Sequence, residues 1–217
     1  MKVLSIVLLL AGYLGVAESC MCMPTHPQNA FCKSEFVLKA AVTSWRRYTF
    51  IKNYELFVQM GIPPPRMAYY SISVVKIFKG KDKIQHLLKN PVFFTHAQDI
   101  ISNCGKFFNK GEKYLLAGRL VDGQMQTSMC DMNSKWHDVT KQMKLGINGM
   151  YDCNCAVATC VDGYCDRKNS CKWNVTWDKP IDECSMNHRS CGKSEKGCVW
   201  NSSSQYAECR RQENSLV

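Results

Sequence analysis

Residues 113–130 read KYLLAGRLVDGQMQTSMC. Two apolar runs flank Asp122-Gly123, a pair suited to the left-handed backbone angles of a two-residue turn. The stretch predicts a strand over Lys113–Val121, a tight turn, and a second strand over Gln124–Cys130. Outward from this hairpin, Phe36, Leu38, Ala40 and Val42 recur at every second position, the period of a strand that buries one face. From Tyr70 the apolar phase passes through Ile72 and Val74 and then moves to Val75 and Ile77, a slip that predicts a bulge and a bend. Val92 and Phe94, after Asn90-Pro91, mark a further strand. About five strands around one core predict a small closed barrel, mainly β.

Beyond the hairpin, Trp136, Val139 and Met143 recur at helical spacing, with Gly146 placed to end a helix. The stretch from Arg46 to Met67 contains Pro63-Pro64-Pro65, which cannot donate to a central sheet, and is read as a projecting loop or ribbon. As a contact surface or a tolerated insertion it has two open readings.

Of 217 residues, 46% are hydrophobic and 21% charged, which excludes a disordered chain; 13 Gly and 7 Pro exclude a collagen-like one. The 14 cysteines point to disulfides in an oxidising compartment or to metal sites. The N-terminus favours the first: Lys2 precedes an apolar run from Val3 to Val16, and Ala17-Glu18-Ser19 has small residues where a signal peptidase reads. Residues 1–19 are therefore expected to be a signal peptide and Cys20 the first mature residue. A lipoprotein signal would place Leu where Ala17 stands. No later apolar run is long enough to span a membrane, so the product is expected to be secreted.

Five cysteines lie between Cys20 and Cys130 and nine between Cys153 and Cys209. The first region can bury a core and the second needs covalent staples, which sets expected domains at 20–153 and 154–217. Of the formal net charge of +10, +9 falls on the first and +1 on the second.

The mature chain opens Cys20-Met21-Cys22-Met23-Pro24 and continues His26-Pro27-Gln28-Asn29-Ala30-Phe31-Cys32. Two cysteines one residue apart point in opposite directions when extended, so each is tied to a different part of the fold. A terminus fastened twice has a position that matters. This cluster directly after a signal peptide resembles the start of the tissue inhibitors of metalloproteinases. The likeness continues in Ile77-Phe78-Lys79-Gly80, Cys104-Gly105, Lys113-Tyr114-Leu115-Leu116-Ala117-Gly118 and the series Cys153, Cys155, Cys160, Cys165, across essentially the whole mature chain.

The resemblance implies a five-stranded oligonucleotide/oligosaccharide-binding (OB) barrel of the netrin-like kind, with small helices and a small disulfide-rich C-terminal domain. It implies the bridges Cys20–Cys104, Cys22–Cys130, Cys32–Cys153, Cys155–Cys198, Cys160–Cys165 and Cys171–Cys191. Cys184 and Cys209 lack a counterpart in the usual vertebrate pattern and are left to each other. It further implies a protein inhibitor, not an enzyme, without a cofactor of its own. The α-amine and carbonyl of Cys20 would chelate the catalytic zinc of a matrix or disintegrin-type metalloproteinase and expel its water. Met21 would enter the adjacent primed-side pocket. Many relatives carry Thr or Ser there, and Met, long and adaptable, favours deep pockets. Cys22, Met23 and Pro24, with Ile100, Ile101, Ser102, Asn103 and Cys104, would complete the contact edge. A netrin-like matrix-binding or signalling module without inhibition is the alternative.

Other chemistries fit these residues less well. His26 lacks a second suitably spaced His and is read as a structural hydrogen-bonding residue. The Cys-x4-Cys-x4-Cys spacing in a secreted chain reads as disulfides, and a bridged Cys20 has no thiolate for nucleophilic catalysis. Lys76, Lys79, Lys81 and Lys83, with Arg46-Arg47 as a second group, read as either a solvated surface or an attraction for sulfated matrix polysaccharides. Nucleic acid is not an expected partner of a secreted chain, and fold alone does not give function. Asn174 and Asn201 head glycosylation sequons in the second region. The protein is expected to be a monomer.

Overall fold

The computed structural model describes residues 22–49, 59–61, 66–96, 105–161, 163–165, 168–175 and 182–215. At the hairpin, Asp122 (φ 48°) and Gly123 (φ 74°) both take the left-handed angles that the turn requires. They join β4 (Lys113–Val121) to β5 (Gln124–Gln126), with Val121 opposite Gln124. β5 stops at Gln126, short of the expected Cys130. From Thr127 the pairing changes: its N–H donates to Phe94 O (2.9 Å), and the chain turns through Ser128–Asp131.

β1 (Phe36–Thr49) runs antiparallel to β4 along one edge and to β2 (Arg66–Lys79) along the other. β3 (Val92–His96) pairs antiparallel with β2 and parallel with β5. The order β1-β2-β3-β5-β4 returns to β1, closing a five-stranded barrel, and β6 (Ser134–Lys135) adds a short pair to β4. The bulge falls where the apolar phase slips: Lys39 pairs with Lys76 and Ala40 with Val74, leaving Val75 outside the register and exposed. β1 and β2 stay paired out to Thr49 and Arg66, which makes the start of the Arg46–Met67 stretch a ribbon; residues 50–58 and 62–65 lie outside the described residues.

Inside the barrel lie Phe36, Leu38, Ala40, Val42, Tyr70, Ile72, Phe93, Phe108, Tyr114, Leu116 and Met125, joined by Ile84 from α2 (Lys81–Ile84). β3 forms where Val92 and Phe94 mark it, but its burial does not alternate: Val92 is exposed, whereas Phe94 and its neighbour Phe93 are both buried, with Phe93 in the barrel core. The Phe93 ring stacks on Tyr70 (5.1 Å) and meets Phe108 edge-on (5.0 Å), and this aromatic cluster outweighs strict alternation.

The opposite faces of β1 and β4 are buried too. Val37, Leu115 and Ala117 pack outward against Phe31 of α1 (Pro27–Lys33) and against Met132, Val139, Met143, Ile147 and Tyr151. The expected helix from Trp136 to Gly146 is shorter and later. α3 is Lys141–Leu145, begun by Thr140, whose hydroxyl accepts from the Met143 N–H (3.1 Å). Trp136 and Val139 precede it, and the chain continues through a wider turn at Gly146–Met150, with Gly149 at φ 124°. Gly146 answers to packing instead: a Cβ there would lie 2.3 Å from the buried Tyr151 ring.

The remaining chain forms a parallel pair, β7 (Val157–Val161) and β8 (Cys171–Val175), then α4 (Glu183–His188), the hairpin β9 (Arg189–Ser194) and β10 (Gly197–Ser202), and α5 (Ser204–Ser215). Its core is Val157 and Trp173 packed with Cys155, Cys171 and Cys191. So small a core relies on the bridges Cys155–Cys198, Cys160–Cys165, Cys171–Cys191 and Cys184–Cys209. Cys22–Cys130 and Cys32–Cys153 fasten the barrel region. No helix among the described residues is long and apolar enough to cross a membrane.

Gly146→Ala is predicted to destabilise the fold by about 1–3 kcal/mol, because a buried ring must yield to the new methyl. Urea unfolding measures this, and an unchanged midpoint would show that Tyr151 can move aside freely.

Candidate functional site

The described chain begins at Cys22, so Cys20, Met21, Ile100, Ile101, Ser102, Asn103 and Cys104 lie outside the described residues. What the structure does describe is the residues that flank them in sequence, Cys22 onward and Gly105 onward. Cys22 is bridged to Cys130 with their Cα atoms 5.2 Å apart. Cys130 belongs to a turn that is locked from several sides. The Asp131 carboxylate accepts from both the N–H and the hydroxyl of Ser128 (2.7 and 2.8 Å). The buried Asn133 accepts from Ala117 N–H (3.1 Å) and donates to Thr127 Oγ1 and Ser128 O (2.6 and 2.8 Å). Thr127 Oγ1 in turn donates to Ala117 O (2.7 Å).

The chain that re-enters the described structure at Gly105 meets the same turn. Gly105 is buried, the Lys106 N–H donates to Thr95 Oγ1 (3.4 Å), and the Lys106 ammonium donates to Asn133 O. Burial holds the Lys106 pKa below the ordinary lysine range. Thus Cys22 and the residues that follow position 104 are both anchored on residues 127–133.

Met23 is 57% exposed beside the bridge, and Met129, on the other side of it in sequence, is 40% exposed. Met129 was not singled out from the sequence, although its place next to the expected partner of Cys22 was a usable signal. Phe107, just beyond Lys106, is exposed and edge-on to Trp45 (6.1 Å). Neither of these two carried a sequence signal, because their proximity depends on the barrel. Pro24 is half-buried, and the Thr25 hydroxyl donates to Met23 O (3.1 Å) as the chain turns into α1.

α1 opens on His26-Pro27. The proline needs no donor in the first turn, and His26 Nδ1 accepts from the Gln28 N–H (3.2 Å). That bond leaves the proton on Nε2, which donates to Ser185 O (3.2 Å). The fully buried ring also lies edge-on to Trp173 (5.8 Å) and against Trp200 (5.4 Å). Both nitrogens are thus engaged in hydrogen bonds. Burial drives the His26 pKa down to about 4; the Ser185 bond opposes this and the Arg189 charge adds to it.

Gln28, also fully buried, donates from Nε2 to the carbonyls of Asp152, Cys155 and Cys191 (each 2.8 Å) and accepts from the Cys191 N–H (2.7 Å). Asn29 exchanges bonds with both the N–H and the carbonyl of Val157. The helix next to the chain start is therefore bonded to the 152–191 region through consecutive side chains.

Two groups of side chains bring atoms that could hold a metal close together, Cys155 with Cys191 and Cys198, and Cys184 with Cys209 and Glu213. Their cysteines are all bridged and hold no thiolate to offer. Asn174 and Asn201, the sequon residues, are both exposed.

A family profile for tissue inhibitor of metalloproteinase matches residues 18–200. Among curated relatives, metalloproteinase inhibitor 2 of Homo sapiens is 30% identical over 203 residues, covering 89% of this chain and 86% of its own. Metalloproteinase inhibitor 3 of Scyliorhinus torazame is 29% identical over 194 residues, covering 85% and 82%. Metalloproteinase inhibitor 2 of Gallus gallus is 28% identical over 202 residues, covering 88% and 86%.

A folded-state pKa near 4 against an ordinary 6.5 means that protons bind the unfolded chain first as pH falls. Stability from the neutral, buried His26 is complete above pH 6.5 and is lost on acidification towards pH 4, amounting to about 3 kcal/mol. Unfolding free energies across that window should decline in the wild type and decline less in His26→Gln. Parallel pH profiles for the two proteins would show that His26 does not carry the effect.

Proposed function

The chain belongs to the tissue inhibitor of metalloproteinase family, and on that premise we propose that it is a secreted inhibitor of zinc metalloendopeptidases whose reactive edge is its mature N-terminus. The supporting observation is the Cys22–Cys130 bridge, which seats the start of the described chain on a turn fixed by Asn133, Thr127 and Asp131. A segment held in place before contact loses little ordering entropy on binding. Met23 and Met129 give the same place an exposed apolar border that a protease cleft could cover.

In this reading, cleavage after Ser19 frees the α-amine of Cys20. With an ordinary pKa of about 7.7–8.0, the amine gives up its proton as it ligates the protease zinc. Together with the Cys20 carbonyl oxygen it takes the coordination positions used by the hydrolytic water. Without that water the protease has no nucleophile, and the inhibitor places no scissile bond at the metal. Met21 fills the neighbouring primed-side pocket. Ile100, Ile101, Ser102 and Asn103, fastened through Cys104 to Cys20, form the second ridge of the contact.

We assign this work to residues 20–153 and treat 154–217 as a second domain that braces it and extends the interface. The bonds from His26, Gln28 and Asn29 into 152–191 supply the bracing. The six bridges among the described residues fit an extracellular protein. The partners are matrix and disintegrin-type metalloproteinases, and the zinc involved is theirs.

One added Ala before Cys20, verified by mass spectrometry of the secreted protein, displaces the amine without touching the barrel. Inhibition of a panel of purified matrix metalloproteinases should fall by at least about a thousandfold while the unfolding midpoint stays the same. Undiminished inhibition by the extended protein would sink the chelation mechanism. Met21→Gly tests the pocket separately. Loss of its contacts should weaken binding by about 1.5–3 kcal/mol, or about ten- to a hundredfold, most for proteases with deep pockets. Equal affinity of both forms across the panel would mean that Met21 enters no pocket.

A further inference from the structure

The wider turn that follows α3 ends in Asn148-Gly149-Met150, and all three residues are exposed. Asn148 is the one asparagine of the chain that precedes a glycine. Gly149 stands at φ 124°, an angle that residues with a side chain rarely adopt, and a Cβ built there would meet nothing within 4 Å. Open space therefore surrounds the peptide nitrogen that lies next to the Asn148 side chain.

The Asn148 carboxamide is held from two sides. Lys76 Nζ donates to its Oδ1 (2.7 Å), and its Nδ2 donates to the Lys144 carbonyl (2.6 Å) at the end of α3. Lys76 does not come alone. It stands opposite Lys39 across the β1–β2 pair, and its ammonium lies 5.1 Å from the Phe78 ring centre. Phe78 stacks on Trp136 (6.1 Å), over which Lys39 Nζ and Lys144 Nζ lie at 4.1 and 5.1 Å from the centroid. Among the described residues, no carboxylate forms an ion pair with any of these three lysines.

A cation bonded to a carbonyl oxygen draws electron density from its carbon and stabilises the oxyanion that forms when a nucleophile adds there. Uncompensated ammonium groups also favour the ionised form of a nearby backbone N–H, which is the nucleophilic form of an amide nitrogen. Both effects act on the same pair of residues. The nucleophile is the Gly149 nitrogen, and the carbon is Asn148 Cγ.

We propose that Asn148-Gly149 is a site of spontaneous deamidation, promoted by Lys76 and the two lysines beside it. The Gly149 nitrogen loses its proton and adds to Asn148 Cγ; the Cγ–Nδ2 bond then breaks, ammonia leaves with a proton, and a cyclic imide remains. Water opens the imide. Breaking the bond from the ring nitrogen to Cγ leaves aspartate, and breaking its bond to the main-chain carbonyl carbon leaves isoaspartate, whose backbone runs through Cβ. One water is taken up, one ammonia is released and one negative charge is gained, with no oxidant and no enzyme.

The product suits its surroundings. A carboxylate keeps the Lys76 bond in a charge-assisted form and supplies the counter-ion that the lysines lack. It cannot donate to the Lys144 carbonyl, so the tie between the turn and the end of α3 is given up. The charge of this face thus changes with the age of the protein. Nothing in the reaction depends on the proposed inhibitory edge.

The test holds the full-length secreted protein at neutral pH and body temperature for several weeks and follows its reduced tryptic peptides by mass spectrometry. The peptide with residue 148 should gain about 1 Da and separate into two products, one of them eluting with the same peptide from Asn148→Asp. Lys76→Gln should slow the gain at least about threefold, the size expected for loss of one exposed charge-assisted bond. Reduced and unfolded in urea, where the lysines are no longer gathered, wild type and Lys76→Gln should react at the same rate. No gain in mass by the folded wild type would overturn the site, as would a gain confined to the Asn-Ser pairs at 133, 169, 201 and 214. Equal rates for the two folded proteins, or a stable cross-link between Lys76 and Asn148, would overturn the part given to Lys76. Should Lys76→Gln fail to fold, Lys39→Gln and Lys144→Gln decide: each should slow the folded protein about twofold, and unchanged rates in both would overturn promotion by the lysines.

Discussion

A carboxamide taken out of water is unfavourable by several kcal/mol unless its polar atoms are bonded, and Gln28 is removed from water completely. Its Nε2 has two hydrogens for three carbonyl oxygens, all at 2.8 Å, so at least one hydrogen is shared, and its Oε1 takes the Cys191 N–H. The group is satisfied only where α1, the 152–155 step and β9 meet in one relative position. His26 adds a second condition, since its buried Nε2–H is satisfied only with Ser185 O facing it. Two polar side chains on either side of Pro27 therefore hold the barrel region and the cysteine-rich region in register. Cys32–Cys153 gives the same junction a covalent limit.

Anchoring at the chain start follows the same logic at a second place. The 127–133 turn has no regular pairing beyond β5, yet its amide, hydroxyl and carboxylate groups bond mostly to one another and to β4. Because Cys22 is bridged into this turn and Lys106 donates to it, any movement of residues 127–133 would shift Cys22 and Lys106 together. The constraint lies in local hydrogen bonds and one bridge, not in a hydrophobic core, which leaves Met23 and Met129 exposed without loosening what lies beneath them.

Local rules were legible in the sequence and tertiary ones were not. Asp122-Gly123 announces its turn because few other pairs accept those angles, and the slip at Val74-Val75 announces its bulge because side-chain alternation is a property of the strand alone. Of the six bridges among the described residues, five join pairs that the resemblance implies, and the sixth joins Cys184 to Cys209, the two cysteines that the usual pattern leaves over. By contrast, Val37, Leu115 and Ala117 gave no sign of a second core, since period-two reading assigns one face to the interior and expects the other to be wet. The 136–146 helix was misjudged for a related reason. Trp136, Val139 and Met143 do face one environment, but a turn and a Thr140 cap bring them there instead of one continuous helix. The lysines grouped in sequence over 76–83 do not stay together in space, because sequence proximity says nothing about where a long side chain ends: Lys79 folds inward, whereas Lys39 and Lys144, 105 positions apart, meet over one indole.

The last helix shows how covalent and cation–π contacts can substitute for packing. α5 has no buried residue, so burial of apolar surface gives it little reason to dock. Three other contacts attach its first half. Cys209 is bridged to Cys184, the Ser203 hydroxyl accepts from Tyr206 N–H while donating to His188 O, and the Arg189 guanidinium sits between Trp200 (4.4 Å) and Tyr206 (4.6 Å). Arg189 also stands near His26, whose neutral state its charge favours. One guanidinium thus touches the attachment of the final helix and the electrostatics of the junction beneath α1. Since the family profile ends at residue 200, the tether from Cys184 to Cys209 carries the fold past the matched residues, and it does so from a point already tied to the N-terminal helix.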